Sequence, residues 1–393
     1  MIQMPRVLLS NSYSASNRGD FWIESVTIAL LGEQLGDVTL ARVYVDRLSS
    51  ATSADTYPWA ENGGGNFKQA RRLVSLLSFW CFPTLYLRCF APRILDLYRS
   101  SDITVMKGGS YILSWKGISG WLYLLDRLSP IRAASASGVP VVLAGVSLGP
   151  FGGRFMSRFA RWQLAKAERV LVRDPPSADY VPAPLLRIVP DIVLSSSFAD
   201  LLRLENASSK GDSASTNIRG GTPLLGFSGV GSNYLDHHLP IDFVDVYASA
   251  LIDLADRLGA HLVPLTQVTG PSLGDDDRPM LRRLGEAINR SAPGTCIRSE
   301  PDDEATSLTV LQTLDGLVSI RFHLAVAAIL CGVPTAICAY LSSKTEGLKA
   351  YTSGVAILEP TAVDALADWH LHRTSVEASA QDAWAEAFTG LMR

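Results

Sequence analysis

"SIRFHLAVAAILCGVPTAICAY" runs from Ser319 to Tyr340. It reads as the end of a buried strand, a short apolar helix and a second buried strand, which is one βαβ unit of a parallel sheet. A packed α/β core has no need of Arg321 and His323 together at the strand–helix junction. They must face water, an acid or a ligand.

The same rhythm extends outward in both directions. "RVLLSN" is a first strand, "FWIESVTIALLGEQLG" a helix ended by Gly36, and "DVTLARVY" a second strand. "SDITVMKGGS" and "VPVVLAGVSLGP" each end a strand in a glycine-bearing loop, and "RVLVRD" and "RIVPDIVL" follow. The stretch Glu205 to Pro223 is polar and rich in Ser and Gly, the composition of a linker. After it the rhythm restarts with "PLLGFSGVG", a helix ended by Gly259, "AHLVPLTQ" and the opening stretch. The expected fold is α/β, with two doubly wound Rossmann-like domains. The expected limits are 1–204 for the first domain, 205–222 for the linker and 223–360 for the second domain. A C-terminal helical segment, 361–393, is expected to pack back across the first domain.

The chain has 393 residues, 47% of them hydrophobic and 19% charged, which is a globular composition. A formal net charge of -3 gives no electrostatic footprint for nucleic acid. Five cysteines without a C-x-x-C pair suggest neither a disulfide framework nor a zinc site. The pairs His237–His238 and His370–His372 have no carboxylate or cysteine partner at ligand spacing and are read as surface features, so no metal or cofactor is expected. The N-terminus lacks the apolar core of a signal peptide, and a cytoplasmic location is the expectation. Arg71 to Leu95 is very apolar but broken by Pro83, Arg88 and Pro92. The first reading is a pair of buried core helices. The second is a basic-flanked surface against the inner face of the cytoplasmic membrane.

Ligands of open parallel sheets bind beyond the carboxyl ends of the strands. The residues there are Asn17, Gly19 and Asp20; Lys107, Gly108, Gly109 and Ser110; Ser147; Arg173, Asp174 and Ser177; the loop "GFSGVGSN"; Thr266 and Gln267; Arg321 and His323; and Lys344. Arg173, Arg321 and Lys344 are cations at such positions, suited to carboxylate or phosphate. His323 is the natural proton carrier near neutral pH. Helix N-termini after Arg173 and Arg321 offer backbone N–H donors. Asp20 also suits a helix cap, and the glycine pair a tight turn.

These pieces together resemble the polysaccharide pyruvyl transferases. The matching segments are "NRGD", "KGGS", "AGVSLGP", "VRDPPSADY", "VPDIVL", "VPLTQ" before "GDDD", "IRFHLAVAAILCGVP" and "YLSSKTEG". Lys107 and Ser110 flank a glycine pair where the family has a triplet, and Val146 replaces its usual Gln or Ser. The resemblance implies a GT-B-like fold with the site in an interdomain cleft. It implies phosphoenolpyruvate as donor, bound by Arg173, Arg321, His323 and Lys344. It further implies a sugar acceptor, on a polysaccharide, its lipid-linked precursor or a glycolipid, on which a pyruvate ketal forms. His323 and Asp20 are the expected catalytic residues, with Asp174 and Asp191 as further candidate bases. Asn17, Gly19, Asp20, Gly108, Gly109 and Ser147 are expected on the acceptor side. The alternatives are a nucleotide-sugar-dependent glycosyltransferase on the same fold and a non-catalytic glycan-binding protein. Folding is expected to survive replacement of Arg321 or His323.

Overall fold

The structure is a computed structural model and describes residues 4–13, 16–44, 56–59, 66–208, 221–232, 239–270, 274–297, 306, 308–339 and 342–388. By its contacts the chain forms two compact units. The first comprises Met1–Ser14, Ile23–Ile192 and Asp382–Arg393; the second comprises Ala15–Trp22 and Val193–Gln381.

The first unit is built on β1 (Arg6–Ser12), α1 (Arg18–Leu35), β2 (Thr39–Tyr44), α2 (Asn66–Cys81), α3 (Pro83–Phe90), α4 (Pro92–Arg99), β3 (Ile103–Met106), β4 (Gly109–Ile112), α5 (Ile118–Ser137), β5 (Val141–Leu148), α6 (Arg154–Leu164), β6 (Arg169–Val172), α7 (Pro175–Ala178) and β7 (Leu186–Ile188). The strands form one parallel sheet in the order β2-β1-β3-β5-β6-β7, with β4 also on β5. All eight residues of β5 are buried, as a strand covered on both faces requires. The sequence steps from β1 to one side for β2 and to the other for β3. This puts the switch point, where doubly wound sheets hold ligands, between β1 and β3.

The second unit contains α8 (Phe198–Ser208), β8 (Leu224–Ser228), α9 (Phe243–Leu258), β9 (His261–Leu265), α10 (Arg278–Ser291), α11 (Leu308–Leu311), β10 (Gly316–Ser319), α12 (Phe322–Leu330), β11 (Thr335–Cys338), α13 (Ser342–Lys349), β12 (Thr352–Ser353), β13 (Ala356–Leu358) and β14 (Ser375–Val376). Its main sheet runs β13-β11-β10-β8-β9, again with parallel pairs. Here the switch point lies between β8 and β10. Gly259 ends α9 at φ 59, a left-handed turn that glycine enters without a Cβ clash.

Three expectations change in detail. The main segment of the second unit begins at Val193, α8 runs through residues 205–208 of the expected linker, and residues 209–220 of that linker lie outside the described residues. The C-terminal segment divides. Val363, Leu366 and Trp369 join the core of the second unit, whereas α14 (Ser379–Phe388) sets Trp384 in the first, where its Nε1 donates to Pro190 O at 3.2 Å. Between them, residues 370–374 are irregular and not helical. Finally, Arg71–Leu95 is not a buried helix pair. It spans α2, α3 and the start of α4, each with one buried stripe and one exposed. No described helix is long and apolar enough to cross a membrane.

Candidate active site

In the second unit the ends of β8 and β10 are tied through serines. Ser228 Oγ lies 3.0 Å from Ser319 Oγ and accepts from Ile320 N at 2.9 Å. The chain then turns into α12, with Arg321 at the N-cap position and His323 in the first turn. Arg321 does not cap the helix with its side chain; Gln267 does, its Oε1 accepting from Leu324 N at 2.8 Å. One of the backbone donors expected for a ligand is therefore already used by the protein.

Arg321 is buried and faces an acid. Its Nε donates to Asp277 Oδ1 at 2.9 Å, a second guanidinium nitrogen donates to the same oxygen, and that nitrogen also donates to Asp275 O at 2.9 Å. The other oxygen of Asp277 accepts from Gln267 N at 3.1 Å and Val268 N at 3.0 Å. Burial pushes the Asp277 carboxyl above the usual carboxylate range, opposed by Arg321 and by these two N–H groups. Loss of Arg321 would leave Asp277 buried without a counter-ion, a cost to the fold that the sequence reading did not include. Asp277 is the residue that sequence reasoning missed. "GDDD" marked an acidic run, but nothing in it distinguishes the carboxylate that points inward.

His323 is half-buried and meets a segment from the far N-terminus. Residues 16–18 run antiparallel to 267–269: Asn17 bridges Val268, Arg18 N donates to Gln267 O at 3.2 Å, and Thr269 N donates to Ser16 O at 2.9 Å. Asn17 then caps α1. Its Oδ1 accepts from Asp20 N at 3.3 Å and its Nδ2 donates to Asp20 Oδ2 at 2.7 Å, a reciprocal cap. Arg18 pairs with buried Glu205 at 3.4 Å. A Cβ on Gly19 would lie 2.7 Å from both His323 Nδ1 and Gln267 Nε2. Asn17, Gly19 and Asp20 thus belong to the unit of Arg321 and His323, not to the first domain where the sequence reading placed them. Gly19→Ala is expected to displace the imidazole and lower turnover by ~10²-fold, since a misplacement near 1 Å has that effect. Unchanged turnover in this variant would mean that the imidazole position does not matter.

Lys344 lies on α13 in the same unit. Arg173 belongs to the first unit, so the four expected donor-binding residues are divided between the two. Arg173 follows β6 and is buried. It donates through Nε to Ser147 Oγ at 2.9 Å, through another nitrogen to Ser110 Oγ at 2.7 Å, and through the third to Asp191. Asp191 is thus the counter-ion of Arg173 and not an available base. Asp174 caps α7, its Oδ1 accepting from Ser177 N at 3.0 Å and from Ser177 Oγ at 2.6 Å. Gly108 is a packing glycine: a Cβ there would meet Ala144 O at 2.7 Å and Gly145 O at 2.8 Å. Gly109 follows at φ 149. Beside them Lys107 is buried, its backbone N donating to Ser10 O at 3.1 Å across the switch point. His237 and His238 lie outside the described residues, and the rings of His370 and His372 are 6.2 Å apart.

Two parallel, doubly wound sheets with polar groups at their carboxyl edges define an α/β protein of the GT-B type. The family model for polysaccharide pyruvyl transferase matches residues 17–343, and the chain belongs to that family. Membership makes it a transferase acting on a polysaccharide or sugar acceptor. Among solved structures it is similar to UDP-GlcNAc 2-epimerase from Methanocaldococcus jannaschii, with a TM-score of 0.55, 8% identity, and coverage of 97% of this chain and 98% of that one. It is also similar to UDP-GlcNAc 2-epimerase from Neisseria meningitidis, with a TM-score of 0.53, 9% identity, and coverage of 93% and 90%. At such identities the likeness concerns the fold alone. No curated protein matches the chain.

Proposed function

We propose that the protein transfers the pyruvyl group of phosphoenolpyruvate to two hydroxyls of a sugar, forming a cyclic ketal and releasing phosphate. The acceptor is a polysaccharide unit, its lipid-linked precursor or a glycolipid. Protonation of the methylene carbon makes C2 an oxocarbenium-like centre, and the first hydroxyl adds there and loses its proton. Phosphate then leaves with the C–O bonding pair, and the second hydroxyl closes the ring and loses its proton. The scheme needs proton transfer and anion binding, with phosphoenolpyruvate as co-substrate and no separate cofactor.

The observation that carries this reading is His323, set at the switch point of the second sheet against the first turn of α1. In this reading His323 moves the proton or steadies the departing phosphate. Arg321 is held rigidly, its Nε and one terminal nitrogen donating to Asp277 and that nitrogen also to Asp275 O, and in this reading it sets the geometry of the junction more than it supplies net charge. Lys344 adds a cation.

The test is incubation with phosphoenolpyruvate and a panel of aryl and lipid-linked glycosides, following phosphate release together with the product mass of a ketal. Phosphoenolpyruvate at about 100 times its dissociation constant is expected to stabilise the fold by ~2.7 kcal/mol, and less at high salt. Consumption of a nucleotide sugar with phosphoenolpyruvate untouched would replace this reading with glycosyl transfer.

A further inference from the structure

The helices α2 and α3 are apolar on two sides. Inward, Leu76, Phe79, Tyr86 and Leu87 join the core of the first unit. Outward, Val74, Leu77 and Cys81 form an exposed stripe at helical spacing on α2. Phe82, Leu85 and Phe90 continue it at 66%, 61% and 69% exposure. Single exposed apolar residues are ordinary, but a run of this kind marks an interaction surface. A ring contact of 5.3 Å joins Trp80 of α2 to Phe159 of α6, whose outer side carries exposed Phe155 and Trp162.

The charge pattern identifies the partner. Arg71, Arg88 and Arg93 are exposed on α2, α3 and the start of α4, while Arg72 pairs with Asp126 at 3.1 Å, and the sequence from 66 to 95 has no Asp or Glu in a chain whose formal net charge is -3. On α6, Arg154, Arg158 and Arg161 are exposed, again with no acid on the helix. In a twofold contact a second copy would bring the same cations against themselves. An anionic lipid surface complements them, and Phe, Trp and Leu among arginines suit the boundary between headgroups and acyl chains.

We propose that this face, α2 and α3 extended by α6, docks the protein on an anionic phospholipid surface, with Phe82, Leu85 and Phe90 entering the interface. It lies flat on the bilayer and does not span it. Binding is independent of the transfer reaction and is read without it.

The experiment is co-sedimentation of the full chain with vesicles of phosphatidylcholine alone, or mixed with phosphatidylglycerol at about 7:3, in ~0.1 M salt. The chain should sediment with the anionic vesicles and far less with the neutral ones. The triple variant Phe82→Ser, Leu85→Ser, Phe90→Ser should lose ~10-fold or more of that partitioning, with its melting temperature unchanged. Arg88→Gln should lose about five-fold. A polarity-sensitive maleimide supplies a second reading on the unmutated chain. Cys81 and Cys89 are exposed, Cys296 is buried, and burial pushes the Cys331 and Cys338 thiols up to about 12. The label should shift to the blue on anionic vesicles. The proposal is overturned by any of three results: no binding to anionic vesicles, equal binding by the triple variant, or vesicle-free self-association that the triple variant abolishes.

Discussion

Replacing His323 by Ala is expected to cut turnover by ~10²–10⁴-fold, with a smaller effect on donor affinity. The imidazole is the titratable group presented at the end of β10, and its surroundings hold it in place. Gly19 leaves no room on one side, and Gln267 fixes the backbone of the same helical turn. Loss of the group removes the proton carrier while leaving the backbone arrangement intact. The limb of the pH–rate profile belonging to this group should disappear. His323→Gln should behave like Ala in turnover, because it restores bulk and hydrogen bonding without the proton. Phosphate release at saturating donor, with a melting curve for each variant, checks this. A folded His323→Ala protein with near-normal turnover would pass the role to another group, with Asp20 the remaining candidate in the same unit.

The second large effect is on stability. Asp277→Ala is expected to cost ~3–5 kcal/mol, because Arg321 would remain buried with its charge uncompensated. Arg321→Ala should cost a similar amount for the converse reason. Asp277→Asn should be milder, since its amide oxygen still accepts from the N–H groups of Gln267 and Val268 that Ala would orphan, at about 1–3 kcal/mol for a lost buried hydrogen bond. Urea titration of the three variants measures the order. If Ala at either position costs less than ~1 kcal/mol, the pair is not a structural element of the site. Any change of donor affinity in Arg321→Ala must therefore be measured where the variant is shown to be folded.

The division between the two sources of information follows from range. Short-range signals were legible in the chain. The strand-length apolar runs and the glycines after helices predicted two parallel doubly wound sheets, and the adjacency of Arg321 and His323 marked one strand end as a candidate site. Those depend on residues within one or two turns of each other, where spacing alone dictates which side chains share a face. Contacts distant in sequence were decided only by the tertiary structure. Ser16 to Arg18 follow β1 of the first sheet in the chain but pair with residues 267–269, and only folding brings Gly19 against His323. Asp277 and Asp191 look like any surface acids until the fold buries them against Arg321 and Arg173. For α2 and α3 the sequence left a buried helix pair and an exposed surface as alternatives, and only the packing shows which residues face out. Where apolar residues lie on two sides of a helix, spacing alone does not name the side that meets the core, and the packing of its neighbours makes that choice.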